Sequence, residues 1–173
     1  MTQRRIYQDE YPYFVTFRTN GGVPIFEDTK TATLLSDIIF KAGKLKGFDV
    51  LSYQIMPDHV HLLVNQTPQA HLSAGARGHS IVSAGAETRA RGNNISQFMY
   101  SIKSYFIKQL RDKHGIMNSV WQRRFYTRIV NTEKYLETVL YYIKNNPVKA
   151  SLQKKYYRVP YQYISWVKIR KLF

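Results

Sequence analysis

The chain has 173 residues, 44% of them hydrophobic, which is enough to bury a core; no apolar run approaches the roughly 20 residues of a membrane span. It contains no cysteine, which excludes disulfides, thiolate metal sites and cysteine nucleophiles. Lys and Arg number 26 against 11 Asp and Glu, a formal charge of +15 interleaved with 14 Tyr, 9 Phe and 2 Trp. That combination favours single-stranded nucleic acid over a membrane surface, because aromatic faces stack on bases while cations neutralise phosphates. No apolar signal core follows Met1-Thr2-Gln3-Arg4-Arg5, so a cytoplasmic, nucleoid-associated location is expected for a single domain over residues 1–173.

Tyr13 to Thr19 is β-branched and aromatic and runs into Asn20-Gly21-Gly22, which reads as a strand and turn. Asp28 or Thr29 can cap a helix to about Lys46, with Leu34, Leu35, Ile38, Ile39 and Ala42 at helical spacing and Gly47 as its stop. Val50 to Met56 reads as a second strand, and Pro57-Asp58 turns the chain back as a third. From Gln66 to Asn94 small residues dominate, and Ser-Ala-Gly-Ala occurs at 73–76 and again at 83–86. Such a stretch cannot bury enough apolar area to fold alone. A flexible insertion at about 67–93 is expected, with His71 and His79 as bystanders and with folding that survives its deletion. A helix from Ile95 to about His114 carries Lys103, Lys108, Arg111 and Lys113 on its polar side, and Gly115 ends it. The second half of Val120 to Val130 alternates like a strand. Asn131 or Thr132 caps a last long helix that Pro147 is expected to terminate. The tail that passes Pro160 and runs through Trp166 to Phe173 is basic and aromatic, with no element assigned.

Strand, helix, strand, strand, helix, strand, helix is the order of an α+β, ferredoxin-like or RRM-like antiparallel sheet backed by helices on one face. Within it, Met56 to Val64 is the stretch that carries chemistry. Strand side chains alternate, so His59 and His61 share a face while Val60, Leu62 and Val64 point into a core. Two imidazoles on one strand face can converge on one metal ion. The pair alone also fits a zinc hydrolase, which would need a third His or a carboxylate; Asp58 is the one acidic neighbour in the motif. On the last helix Tyr135, Leu136, Val139, Leu140 and Ile143 form an apolar face. Tyr142 stands at its border, Tyr141 points nearly opposite, and Asn146 lies one turn beyond Tyr142 on the same side.

The stretches Met56 to Val64, Trp121-Gln122-Arg123-Arg124-Phe125 and Tyr142-Ile143-Lys144-Asn145-Asn146-Pro147-Val148-Lys149-Ala150 resemble those of single-tyrosine HUH transposases. The branch they resemble most is the REP-associated tyrosine transposases, related to the insertion-sequence 200 type. The resemblance implies the HUH nuclease fold, with His59 and His61 as metal ligands, Asn146 as a third polar ligand, Tyr142 as nucleophile and Mg²⁺ or Mn²⁺ as cofactor. It implies cleavage of hairpin-bearing single-stranded DNA through a 5′-phosphotyrosine, by a monomer or a homodimer. Arg18, Lys103, Arg123, Arg124, Arg128 and Lys149 are the cations expected to meet the DNA. A catalytically silent single-stranded DNA or RNA binder on the same fold is the alternative.

Overall fold

A computed structural model describes residues 10–67, 94–114 and 120–172. Residues 68–93, all of the expected insertion at 67–93 but Thr67 and including His71 and His79, lie outside the described residues, as does Gly115. The elements are β1 (Tyr13–Arg18), α1 (Thr29–Lys46), β2 (Phe48–Ile55), β3 (His59–Gln66), α2 (Ile95–His114), β4 (Tyr126–Ile129), α3 (Glu133–Lys149), β5 (Gln162–Ile164) and α4 (Trp166–Ile169). The strands form one antiparallel sheet in the order β4-β1-β3-β2-β5. The first four strands have the ferredoxin-like order expected from the sequence, and β5 extends the sheet beyond β2.

Alternation along the strands sorts the core into two layers. Val15, Phe17, Val60, Leu62, Val64, Tyr53 and Ile55 face α1 and α2, which bury Leu35, Ile39, Phe98, Ile102 and Phe106 against them. The apolar stripe of α3, made of Leu136, Val139, Leu140 and Ile143, packs on the opposite face against Phe14, Leu51 and Leu63. The two crossover helices thus share one face, as the pattern implies, and α3 adds a layer on the other.

Local chemistry fixes the ends of these helices. The Asp28 carboxylate accepts from the backbone N–H groups of Lys30 and Thr31 at the start of α1, and these bonds, led by that from the Thr31 hydroxyl, hold its pKa below the usual range. Gly47 ends α1 in a left-handed conformation (φ 68°). A Cβ on Gly43 would stand 2.7 Å from the Phe48 carbonyl oxygen, so glycine lets α1 sit close on β2. Thr132 caps α3 by accepting from the N–H of Tyr135.

α3 does not stop at Pro147 but runs on to Lys149. Proline cannot donate to the carbonyl four residues back and its ring crowds that carbonyl, but it leaves the N–H groups that follow free to close the turn. The chain closes the last turn around it, with Ala150 donating to the Asn146 carbonyl and Leu152 to the Pro147 carbonyl. Asn146 therefore lies inside the helix. The tail, to which the sequence assigned no element, supplies β5 and α4, and Ile169 of α4 joins the core under α3. Among the described residues no helix is long and apolar enough to cross a membrane.

Candidate active site on the α3 face of the sheet

A register shift in β2 sets which side chains meet. Val50 pairs with Val64, but the next partner of β3, Leu63, is met by Ser52, so Leu51 is the extra residue of a bulge. Beyond it Gln54 lies opposite His61; without the shift the core residue Tyr53 would stand there. On the other side of β3, β1 places Thr16 opposite His61 and Arg18 opposite His59.

The two histidines are held by different partners at Nδ1. The Asp58 carboxylate lies 2.6 Å from Nδ1 of His59, and the Thr16 hydroxyl lies 2.9 Å from Nδ1 of His61. Their Nε2 atoms approach to 3.1 Å. Phe14 stacks on the His61 ring with centroids 5.9 Å apart, which fixes its plane. His61 is buried, and desolvation, aided by His59 and Arg18 and opposed by Asp58, pushes its pKa down to about 3. At neutral pH its imidazole is uncharged.

Tyr142 reaches this point from above. Its hydroxyl lies 3.4 Å from Nε2 of His61, its ring meets the His61 ring edge-on at 4.9 Å and the Phe14 ring at 6.1 Å, and it stays 38% exposed. Tyr141, next in the chain, is 67% exposed on the outer side of α3. One turn after Tyr142, the side-chain amide of Asn146 has a buried nitrogen position with no hydrogen-bond partner.

These atoms fit a divalent cation. Two nitrogens bound side by side to one ion, with bonds of about 2.1 Å, stand about 3 Å apart, and the Nε2 pair has that spacing. Nδ1–H groups held by a carboxylate and a hydroxyl are the outer-sphere contacts that orient metal-binding imidazoles. Among the described residues no group of three His, Cys, Asp or Glu could hold a metal, so the histidine pair has no third ligand of those kinds. Rotating the Asn146 amide by half a turn exchanges its nitrogen and oxygen and presents an oxygen at the unpaired position.

The expected DNA-facing cations divide. Arg18 is exposed at the site's edge, beside His59. Arg128 projects from β4 opposite Phe14, on the same face of the sheet, with its guanidinium 5.7 Å from the Tyr126 ring centre. Arg123 and Arg124 are exposed in the segment leading into β4, and Lys149 is exposed at the end of α3. Lys103 of α2 reaches the carbonyls of Gln122 and Arg123 and so ties that segment to α2.

Sequence reasoning missed the polar links behind the histidines. Gln54 is fully buried and donates to the carbonyls of Ile55 and Tyr156. Its oxygen accepts from Nε2 of Gln162, which also donates to the Lys144 carbonyl in α3 at 3.1 Å. No local signal marks these glutamines, because their meeting depends on the β2 bulge and on β5.

The ferredoxin-like sheet carries the paired histidines on β3, and the tyrosine helix is laid across them. Residues 8–85 match the family described as Transposase IS200 like. The ISDra2 transposase TnpA of Deinococcus radiodurans is 36% identical over 64 residues, which cover 37% of this chain and 44% of that protein, so the likeness spans less than half of its length. The structure of a REP-associated tyrosine transposase bound to a REP hairpin covers 100% of this chain and 88% of its own, with a TM-score of 0.66 and 20% identity. The chain is therefore similar in sequence to IS200-like transposases over residues 8–85, and similar in fold to a REP-associated tyrosine transposase.

Proposed function

We propose that this chain is a metal-dependent transposase that cuts and rejoins single-stranded DNA through Tyr142, acting in the cytoplasm on hairpin-forming sequences. One observation carries the reading: the Tyr142 hydroxyl and the Nε2 atoms of His59 and His61 gather at a single point. The match to IS200-like transposases and the structural likeness to a hairpin-bound REP-associated enzyme support it.

In this reading the Tyr142 oxygen attacks a backbone phosphorus. The new P–O bond replaces the bond to the 3′ oxygen, leaving a 5′-phosphotyrosine and a free 3′-OH, so a later 3′-OH can reverse the step without ATP. Tyr142 is placed by the edge of Phe14 and by α3, and its partial exposure leaves room for a strand. His59, His61 and Asn146 are the residues that would hold Mg²⁺ or Mn²⁺, which supplies charge neutralisation at the attacked phosphate. Arg18, opposite His59, adds a fixed positive charge on the open side.

The test incubates wild type and Tyr142→Phe with labelled hairpin-bearing single-stranded DNA in Mg²⁺, Mn²⁺ or EDTA and resolves the products on a denaturing gel. A protein–DNA adduct that needs metal and is lost in Tyr142→Phe is expected. Binding without an adduct would favour a silent binder, and cleavage that persists in Tyr142→Phe would overturn the assignment of the nucleophile.

A further inference from the structure

The line of cross-strand neighbours through His61 crosses the whole sheet: Tyr126 on β4, Thr16 on β1, His61 on β3, Gln54 on β2 and Gln162 on β5. Residues directly opposite in antiparallel strands share a face, so all five project to the α3 side. Toward β5 the line is closed, with Gln54 buried and Gln162 tied to α3. Toward β4 it is open. Tyr126 is 43% exposed and lies outside both core layers, and the Arg128 guanidinium sits 5.7 Å from its ring centre.

Other exposed tyrosines do not share this position. Tyr100 and Tyr105 belong to α2, which packs on the opposite face of the sheet, and Tyr141 is on the outer side of α3. Tyr126 stands two strands from His61, about 10 Å at the usual strand spacing. That is within reach of a base when a neighbouring phosphate lies at the histidine pair. A half-exposed aromatic ring beside a planar cation is the arrangement that stacks bases of single strands without reading their sequence. The exposed Arg123 and Arg124 lead directly into it.

We propose that Tyr126, with Arg128, forms a nucleobase-stacking site for the single-stranded DNA whose phosphate lies at His59 and His61. This inference rests on the single-stranded DNA reading and adds to it a residue to which neither the sequence nor the family likeness gives a role. Tyr126 supplies the flat apolar face, and Arg128, beside the ring, contributes charge to the strand.

The experiment uses the full chain and a hairpin-bearing single-stranded DNA with one 2-aminopurine in its unpaired flank. Affinity is read by anisotropy and stacking by quenching of the 2-aminopurine fluorescence. Wild type is expected to bind and to quench. Tyr126→Ala and Tyr126→Leu should each weaken binding about tenfold and lose the quench, while Tyr126→Phe keeps both. The salt dependence should be unchanged in Tyr126→Ala and reduced in Arg128→Gln, because only the arginine meets phosphate. Circular dichroism melting of each variant confirms the fold. Wild-type binding that Tyr126→Ala and Tyr126→Leu leave intact would overturn the stacking site and leave the DNA reading standing. A wild type that binds no single-stranded DNA would overturn both.

Discussion

The side chain of Gln162 on β5 donates to the backbone carbonyl of Lys144 on α3 at 3.1 Å, two residues beyond Tyr142. The same nitrogen donates to Gln54, the neighbour of His61 across β2 and β3. The helix that carries the tyrosine is therefore pinned to the strand system that carries the histidines. Replacing Gln162 by Leu leaves the buried Gln54 oxygen without its donor, which costs about 1–3 kcal/mol. Urea unfolding should show that loss, and adduct formation by the folded variant should fall further than its DNA binding. Equal losses in both would mean that Gln162 only stabilises the fold.

The bonds at Nδ1 decide where the imidazole lone pairs point. With Nδ1–H donated to Asp58 and to Thr16, both Nε2 lone pairs meet across 3.1 Å, an arrangement that a cation between them favours. Without a cation, His61 relieves the repulsion by carrying its proton on Nε2 and accepting the Thr16 hydroxyl at Nδ1. Asp58→Asn and Thr16→Val should each lower Mn²⁺ affinity by about 10- to 100-fold, measured by titration calorimetry. In nitrogen NMR, Mg²⁺ should move the His61 proton to Nδ1. An unchanged Mn²⁺ affinity in both variants would dissociate these two contacts from metal binding.

Local patterns made much of this arrangement readable. The alternation through Val60, Leu62 and Val64 put His59 and His61 on one face, and helical spacing separated Tyr142 from Tyr141. Both are short-range regularities that packing respects. What stayed hidden depends on long-range register. The bulge at Leu51 decides that Gln54 rather than Tyr53 faces His61, and no local residue marks it. The β5 strand has three residues and takes its direction from pairing with β2, so its composition alone does not announce it. Pro147 misled for a different reason: in a last turn it costs one hydrogen bond and not the helix.

Asp28 offers a test of the helix that backs the far side of the sheet. As N-cap it bonds the first turn of α1, and Asp28→Ala should cost about 1 kcal/mol at neutral pH. Its folded pKa lies below the ordinary 3.8, so its contribution is present above that value and is lost as pH falls through the folded pKa. The gap in urea midpoint between wild type and Asp28→Ala should close in strong acid. A gap independent of pH would show that the cap acts through something other than its charge.

His61 makes the stronger prediction about pH. Its folded pKa is lowered to about 3 from 6.5, so between those values the unfolded chain binds a proton that the folded protein refuses. Stability therefore rises with pH across that window and is fully present above 6.5; acid removes it at up to about 1.4 kcal/mol per pH unit. In EDTA, wild type should lose about 1.6 kcal/mol between pH 6.5 and 5 through this residue alone. His61→Gln, which cannot be protonated there, should lose correspondingly less over the same interval. Urea midpoints at the two pH values measure the difference directly. Parallel losses in the two proteins would mean that the folded site accepts the proton, and that His61 is not kept neutral by burial among Phe14, Tyr142 and His59.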